Sequence, residues 1–275
     1  MGGSPVGVGA EVGRVAAVWR YPVKSMAPDA VPSAEVSWHG VAGDRRWGFV
    51  RERGEESGFP WLTIRERPDM VRYRPRFVDP ERPNASAVVV TAPTGAELDV
   101  TDPALAAELA AGLGGGVRAL KLDRGTFDTL PLSLITSQSV GGLGALAGRP
   151  LDVGRFRPNL LIDAPGGNPF PEEGWTGCTL RIGDALVRVD ARDQRCVVVN
   201  VDPRTAERDP IVFRTIARRR KARLGVYATT ARPGRLTVGD PVVVAALPDL
   251  CPTPTWCRPP DEPAREPGRP STLAP

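Results

Sequence analysis

The chain has 275 residues, a formal net charge of +4 and a hydrophobic fraction of 41%, which allows a sizeable core in one large domain or two small ones. Gly and Pro number 30 each; both shun helix interiors, so short strands and turns should dominate. The mildly basic balance permits an anionic ligand but does not point to nucleic acid, and the single histidine, His39, excludes His-rich zinc sites and HExxH chemistry from this chain alone.

The first ten residues are Gly-rich and expected to fray. Their lack of a basic segment and an apolar stretch argues against a signal peptide, and no apolar run is long enough to cross a bilayer. The expectation is a cytoplasmic protein whose four cysteines are thiols or ligands rather than a disulfide framework. GRVAAVWRYPV reads as a strand stopped by Pro22. Residues 31–38, 46–51 and 61–64 are further strands, and 70–78 alternates apolar and basic residues as a half-buried strand does. Residues 87–91 and 97–100 form a hairpin around Pro93-Thr94-Gly95. Asp102 and Pro103 open a helix that runs to Gly114, and 117–122 returns to strand. Such a set of antiparallel strands closes into a barrel or sandwich.

A second unit begins near Phe127. It has a strand over 132–136, then a glycine-containing helix capped by Thr136 or Ser137. Residues 160–163, 179–190 and 196–201 read as strands, 213–223 as a basic helix, and 224–230 and 235–245 as the closing strands. The Pro- and charge-rich stretch beyond Leu247 is expected to be a disordered tail. The fold class is therefore mainly β with a few helices (α+β): residues 1–10 frayed, 11–122 one β-barrel unit, 123–246 a second barrel-like unit, and 247–275 the tail.

Cys196 follows the polar stretch ARDQR and precedes VVVNV. Neighbouring Arg192 and Arg195 would favour its thiolate, the form that binds soft metals; a structural thiol at a strand start is the equal alternative. Cys178, in WTGCTL, reads as a packed residue, and Cys251 and Cys257 as tail thiols. His39 reads as an ordinary turn residue. Lys24, Ser25, Arg45, Arg157 and Asn159 stand at predicted strand ends in both units, where they could hold a phosphate or polar heterocycle between them. Arg218, Arg219, Arg220, Lys221 and Arg223 form a dense basic run, read as a solvated face or a contact to something acidic. No aromatics interleave it to stack single strands.

YPVKS (21–25), GDRRW (43–47), FRPN (156–159), RCVVVNVDP (195–203) and VGDPV (238–242), in this order, resemble MOSC-domain proteins that carry an additional N-terminal β-barrel, including the amidoxime-reducing component and its bacterial relatives. The resemblance spans roughly residues 11–245. It implies a MOSC N-terminal barrel domain over 11–122 and a MOSC domain over 123–246. It implies a molybdenum cofactor (Mo-molybdopterin) with Cys196 as the protein's metal ligand and catalytic centre. Lys24, Ser25, Arg45, Thr129, Arg157, Asn159, Arg195 and Tyr227 would bind the cofactor, with Leu130 and Pro131 beside Thr129. Gln194 and Asn200-Val201-Asp202-Pro203 depart from the relatives and bear on the substrate pocket. The implied activity is oxygen-atom transfer, reducing a small N-oxygenated substrate with electrons from a separate reductase. The chain is expected to act as a monomer, without nucleic acid or membrane. Two further readings stand: a non-catalytic cofactor or sulfur carrier, since the family includes the C-terminal domain of cofactor sulfurases, and a basic β-module binding RNA or an acidic partner through residues 218–223.

Overall fold

This computed structural model describes residues 7–52 and 59–246. Cys251, Cys257 and the expected tail over 247–275 lie outside the described residues, as do the first six. The described residues up to Ala245 form one contact unit.

Its centre is a closed seven-stranded barrel. The first strand, β1 (Glu11–Arg20), is long enough to pair antiparallel with β16 (Pro241–Ala245) and β11 (Leu160–Asp163). Between them lie β10 (Leu132–Thr136), β14 (Arg223–Arg232), β13 (Ala185–Gln194) and β12 (Thr179–Ile182), in the order β11-β10-β14-β13-β12-β16-β1. A register shift between Val15 and Ala17 bends β1 around the closure, the usual effect of an extra residue in one strand. β10 and β11 are parallel, so they need a crossover, and helix α2 (Ser137–Ala147) provides it. Inward residues such as Val15, Leu132, Leu160, Ile182, Val187 and Val226 fill the barrel. Both stretches of sequence thus share one barrel: β1 comes from the first, the other six strands from beyond residue 122.

The rest of the first stretch forms smaller sheets. β3 (Ser33–Ser37) and β4 (Gly40–Val41) make a hairpin joined to β15 (Gly234–Thr237), and β2 (Asp29–Val31) extends β1. β5 (Trp47–Arg51) pairs with β9 (Val117–Lys121), and β6 (Arg74–Phe77) with β7 (Val88–Thr91) and β8 (Glu97–Asp99). They enclose a second core around Phe49, Leu62, Met70, Val90 and Leu105, with helix α1 (Pro103–Ala110) laid against it. Val201 from the second stretch completes that core. A third core, with Leu143, Phe156, Val199 and Ile216, lies under α2 and α3 (Pro210–Arg220).

The expected caps are present: the Asp102 carboxylate accepts from Ala104 N at 2.8 Å, and Thr136 Oγ1 from Ser139 N at 3.1 Å. Three expectations change. Residues 196–201 are not a strand: β13 ends at Gln194 and Val197–Asn200 is a single 3-10 turn. Its valines are drawn apart, Val199 into the third core and Val201 into the second, which no continuous strand allows. Residues 61–64 keep only an isolated bridge, Trp61 to Val50. Met70 and Val71 belong to a 3-10 turn, Pro68–Arg72, and the strand starts at Arg74; Pro68 suits a helical first position.

Candidate functional site

A cavity of about 440 Å³ lies at one end of the barrel, and Lys24, Ser25, Arg45, Thr129, Arg157, Asn159, Arg195, Cys196 and Tyr227 all line it. These residues span two hundred positions of sequence, and three loops bring them together. Lys24 N donates to Trp47 O at 2.8 Å, and Arg45 N to Tyr21 O at 2.5 Å. The hydroxyl of Thr126 donates to Arg45 O at 2.9 Å. The KS, DR and 126–129 segments therefore form one zipped wall.

Backbone conformation marks three of these residues, and outside the cavity Ala206, Lys221 and Ala222. Ser25 (φ 71°), Arg45 (φ 49°) and Arg157 (φ 50°) occupy the left-handed region without being glycine. Each costs roughly 1–2 kcal/mol, and such strain concentrates where side chains must be aimed at a ligand.

The electrostatics centre on Tyr21. Arg45 and Arg157 lie 4.4 and 4.3 Å from its ring centroid. Tyr21 is buried, its hydroxyl donates to Pro158 O at 3.1 Å, and burial pushes its pKa up to about 12. Asp44, wholly buried, accepts from Tyr21 N at 2.7 Å and from Arg45 Nη1 at 2.5 Å. Burial works to lower the Arg45 pKa, but Asp44 and Tyr21 outweigh it and the net shift is upward. Arg157 has no such carboxylate. Burial pulls its pKa down to about 10, and its buried Nη2 has no hydrogen-bond partner. Lys24 is likewise lowered by burial, against the opposing pull of Asp128; its Nζ donates to Thr126 O at 2.7 Å and to Asp128 Oδ1 at 2.5 Å.

Two expected binding residues serve as scaffold. Asn159 is fully buried; its Oδ1 accepts from Ser133 N at 3.1 Å and its Nδ2 donates to Trp19 O at 3.2 Å, tying β1 to β10. Arg195 donates from Nε to Leu224 O at 2.7 Å and from Nη1 to Phe156 O at 2.8 Å. Its Nη2 lies 2.9 Å from Asp193 Oδ2, yet without an aligned hydrogen bond. Gly225 makes room for it: at φ 74°, a Cβ there would meet Leu134 O at 2.8 Å and Arg195 Nη2 at 3.0 Å. Asp193 is pushed up by burial, against Arg195, Ser133 and Tyr227. Tyr227 is pushed up to about 12 by burial and then by the Asp193 charge.

Cys196 sits where β13 ends and the 3-10 turn begins, half-buried. Its partner is not a sequence neighbour. Arg192 is turned away and pairs with Glu173, whereas Arg65, 131 positions upstream, donates from Nη2 to Cys196 Sγ at 3.3 Å. That contact raises the Arg65 pKa. Arg65 was missed because nothing local marks it; only the packing of its loop, held by Arg208 donating to Arg65 O at 2.6 Å, brings it to the sulfur. Arg155 and Asp128 also line the cavity and were missed. Gln194 lines it as well, but Asn200 does not: its Oδ1 accepts from Phe213 N at 2.8 Å and anchors α3.

The remaining candidates lie elsewhere. Cys178 packs against the barrel core. His39 is exposed in the β3–β4 turn. In the basic run, Arg220 pairs with Glu173 and lies 3.6 Å from the Phe170 ring centroid, while Arg218 and Arg219 are exposed.

This geometry fits what the comparisons with known proteins find. Residues 12–111 match the MOSC N-terminal beta barrel domain and residues 123–243 the MOSC domain. The chain belongs to the MOSC-domain family. The molybdenum cofactor sulfurase of Drosophila grimshawi is 30% identical over 82% of this chain and 34% of its own length. That of Drosophila mojavensis is 29% identical over the same shares. Mitochondrial amidoxime-reducing component 1 of Danio rerio is 31% identical over 42% of this chain and 37% of its own length. The chain thus spans about a third of these curated relatives, and the names of the two sulfurases tie the family to the molybdenum cofactor.

No helix among the described residues is long and apolar enough to cross a membrane.

Proposed function

We propose that this chain binds the molybdenum cofactor in the cavity above β13 and uses it to reduce N-hydroxylated substrates, with Cys196 as the metal's protein ligand. The observation that carries the reading is the orphaned, buried Nη2 of Arg157, in a cavity lined by six cations, Lys24, Arg45, Arg65, Arg155, Arg157 and Arg195, against the two carboxylates Asp128 and Asp193. A buried guanidinium donor without an acceptor calls for an anionic ligand group. The donor set agrees. Among the described residues no cluster of three or more His, Cys, Asp or Glu could hold a metal ion, so a metal here needs ligands from its own cofactor, with Cys196 adding one soft donor.

When bound, the cofactor supplies two-electron redox chemistry at its metal. The residues supply the rest. Arg157 and Arg45, held in register by Tyr21, present positive charge to the cofactor's phosphate, and Lys24 and Ser25 close the wall beside it. Arg65 holds the Cys196 sulfur toward the cavity and offers its remaining donors to a polar substrate atom next to it. In the net reaction the N–O bond breaks, the nitrogen gains hydrogen and water leaves. Two electrons come from a separate reductase and two protons from solvent.

Metal and pterin analysis of protein made in a cofactor-producing host tests this reading, together with reduction of an N-hydroxylated substrate by the reconstituted system. Near-stoichiometric molybdenum that disappears in Cys196→Ala is the expected result. Full molybdenum and activity in that variant would refute the ligand assignment. The carrier reading draws on the sulfurase relatives, which match 82% of the chain; it predicts bound cofactor without substrate reduction.

A further inference from the structure

A second cleft, of about 360 Å³, shares a wall with the first: Phe127 and Thr129 line both. Its character is different. Where the first is ringed by cations, this one is walled by the rings of Trp38, Trp61 and Phe127 and by Pro131, with His39 and Arg124 contributing polar edges.

The aromatic walls are built into the fold. Trp38 and His39 form the two-residue tip of the β3–β4 hairpin, and Gly40 (φ 82°) takes the left-handed position that the turn needs. Nothing in the turn asks for tryptophan, yet Trp38 is 65% exposed, a large apolar surface left in water. The tip itself is fixed: Ser37 Oγ accepts from His39 N at 3.2 Å and donates to Gly40 O at 3.0 Å, and Thr230 Oγ1 donates to Ser37 O at 2.8 Å. The opposite wall is fixed too. At Gly125 (φ 88°) a Cβ would stand 2.4 Å from the Phe127 ring, so only glycine lets that ring close over the turn. A cleft walled by three aromatic rings, two of them on fixed turns, suits a flat ring carrying a polar substituent.

Its position suggests what that ring belongs to. The shared wall continues into Asp128, which pairs with Lys24 and whose charge also reaches Arg65, the residue on the Cys196 sulfur. Because Phe127 and Thr129 line both cavities, a molecule seated against Trp38 and Trp61 borders the reactive cavity.

We propose that this cleft is a substrate subsite that takes the planar aromatic ring of a molecule whose N-oxygenated group enters the adjacent cavity. The assignment rests on the oxidoreductase reading for the identity of the reacting group, but not for the binding of the ring. Aromatic N-hydroxylated compounds are thus preferred over aliphatic ones.

The test uses the full-length Cys196→Ala chain, so that metal chelation plays no part, and follows the tryptophan indole N–H resonances as benzohydroxamate or acetohydroxamate is added. Benzohydroxamate is expected to shift the Trp38 and Trp61 resonances saturably, and acetohydroxamate to bind at least about tenfold more weakly, the scale of one stacking contact. Adding Trp38→Ala should erase that difference, and Trp38→Phe should restore most of it. Equal affinity for the two hydroxamates, or a ring preference that survives Trp38→Ala, overturns the subsite. A ring preference without reduction of either compound by the wild-type, cofactor-loaded protein faults the oxidoreductase reading alone.

Discussion

Cys178 and Cys196 lie next to neighbouring strands of the same barrel, and their surroundings could hardly differ more. Cys178 precedes β12 and packs against the hydrophobic interior of the barrel. Cys196 follows β13 and faces a cavity with a guanidinium on its sulfur. Both are half-buried, so exposure does not tell them apart. Charge and volume do: Cys196 stands where the fold leaves room for a partner and lines it with cations.

The largest expected effect tests that contrast directly. Cys196→Ala should lose molybdenum and at least about 100-fold of activity, since a direct ligand should matter more than the outer-shell contacts whose loss costs 10–100-fold. Cys178→Ala should keep both and lower stability by about 1 kcal/mol, a Tm fall of roughly 2–3 °C for a chain of this size, read by calorimetry. Equal metal loss in the two variants would break the comparison. Next in size, Arg157→Ala should weaken cofactor retention about tenfold or more, the scale of a charged hydrogen bond, with little change in Tm because this guanidinium donates to no protein acceptor. Cofactor release during dialysis measures it. Arg65→Ala should then lower turnover roughly tenfold at nearly full molybdenum occupancy, with partial recovery in Arg65→Lys.

The smallest effect sharpens the comparison from the side of stability. Glu172 is a wholly buried carboxyl that accepts from Thr136 Oγ1 and Ser139 Oγ at 2.7 Å each, its Oε1 unpartnered. Burial raises its pKa above 4.5. Between 4.5 and the folded-state value the native state holds the extra proton, so stability should fall as pH rises through that window and level off above it. Glu172→Gln keeps an acceptor for both hydroxyls and removes the charge. It should flatten this pH dependence and raise the neutral-pH Tm by about 2 °C, on the order of 1 kcal/mol. A pH profile with the wild-type slope would show that Glu172 is not the titrating group.

Much of the fold was legible in the sequence where local chemistry is sufficient. Apolar runs ended by turn or cap residues located β1, β7 and β10, and capping residues located α1 and α2. Reading failed where distant packing decided. The apolar run 197–201 has the composition of a strand, but Val199 and Val201 serve different cores, and the chain turns to reach both. What the sequence did not show is that β1, which opens the first stretch, is long enough to bond both β16 and β11 across the closure.

For the site, the sequence alone determined which residue types stand at strand ends, and the family resemblance named nine side chains that the structure gathers around one cavity. Only the tertiary structure decided their division of labour. Asn159 and Arg195 bind the protein's own backbone, Arg157 is left with a free donor, and Arg65 arrives at Cys196 from 131 positions away. The physical reason is that hydrogen-bond satisfaction and burial are properties of three-dimensional neighbours. A motif fixes which groups are present, but whether a group already has a partner depends on loops that meet only when the barrel has closed.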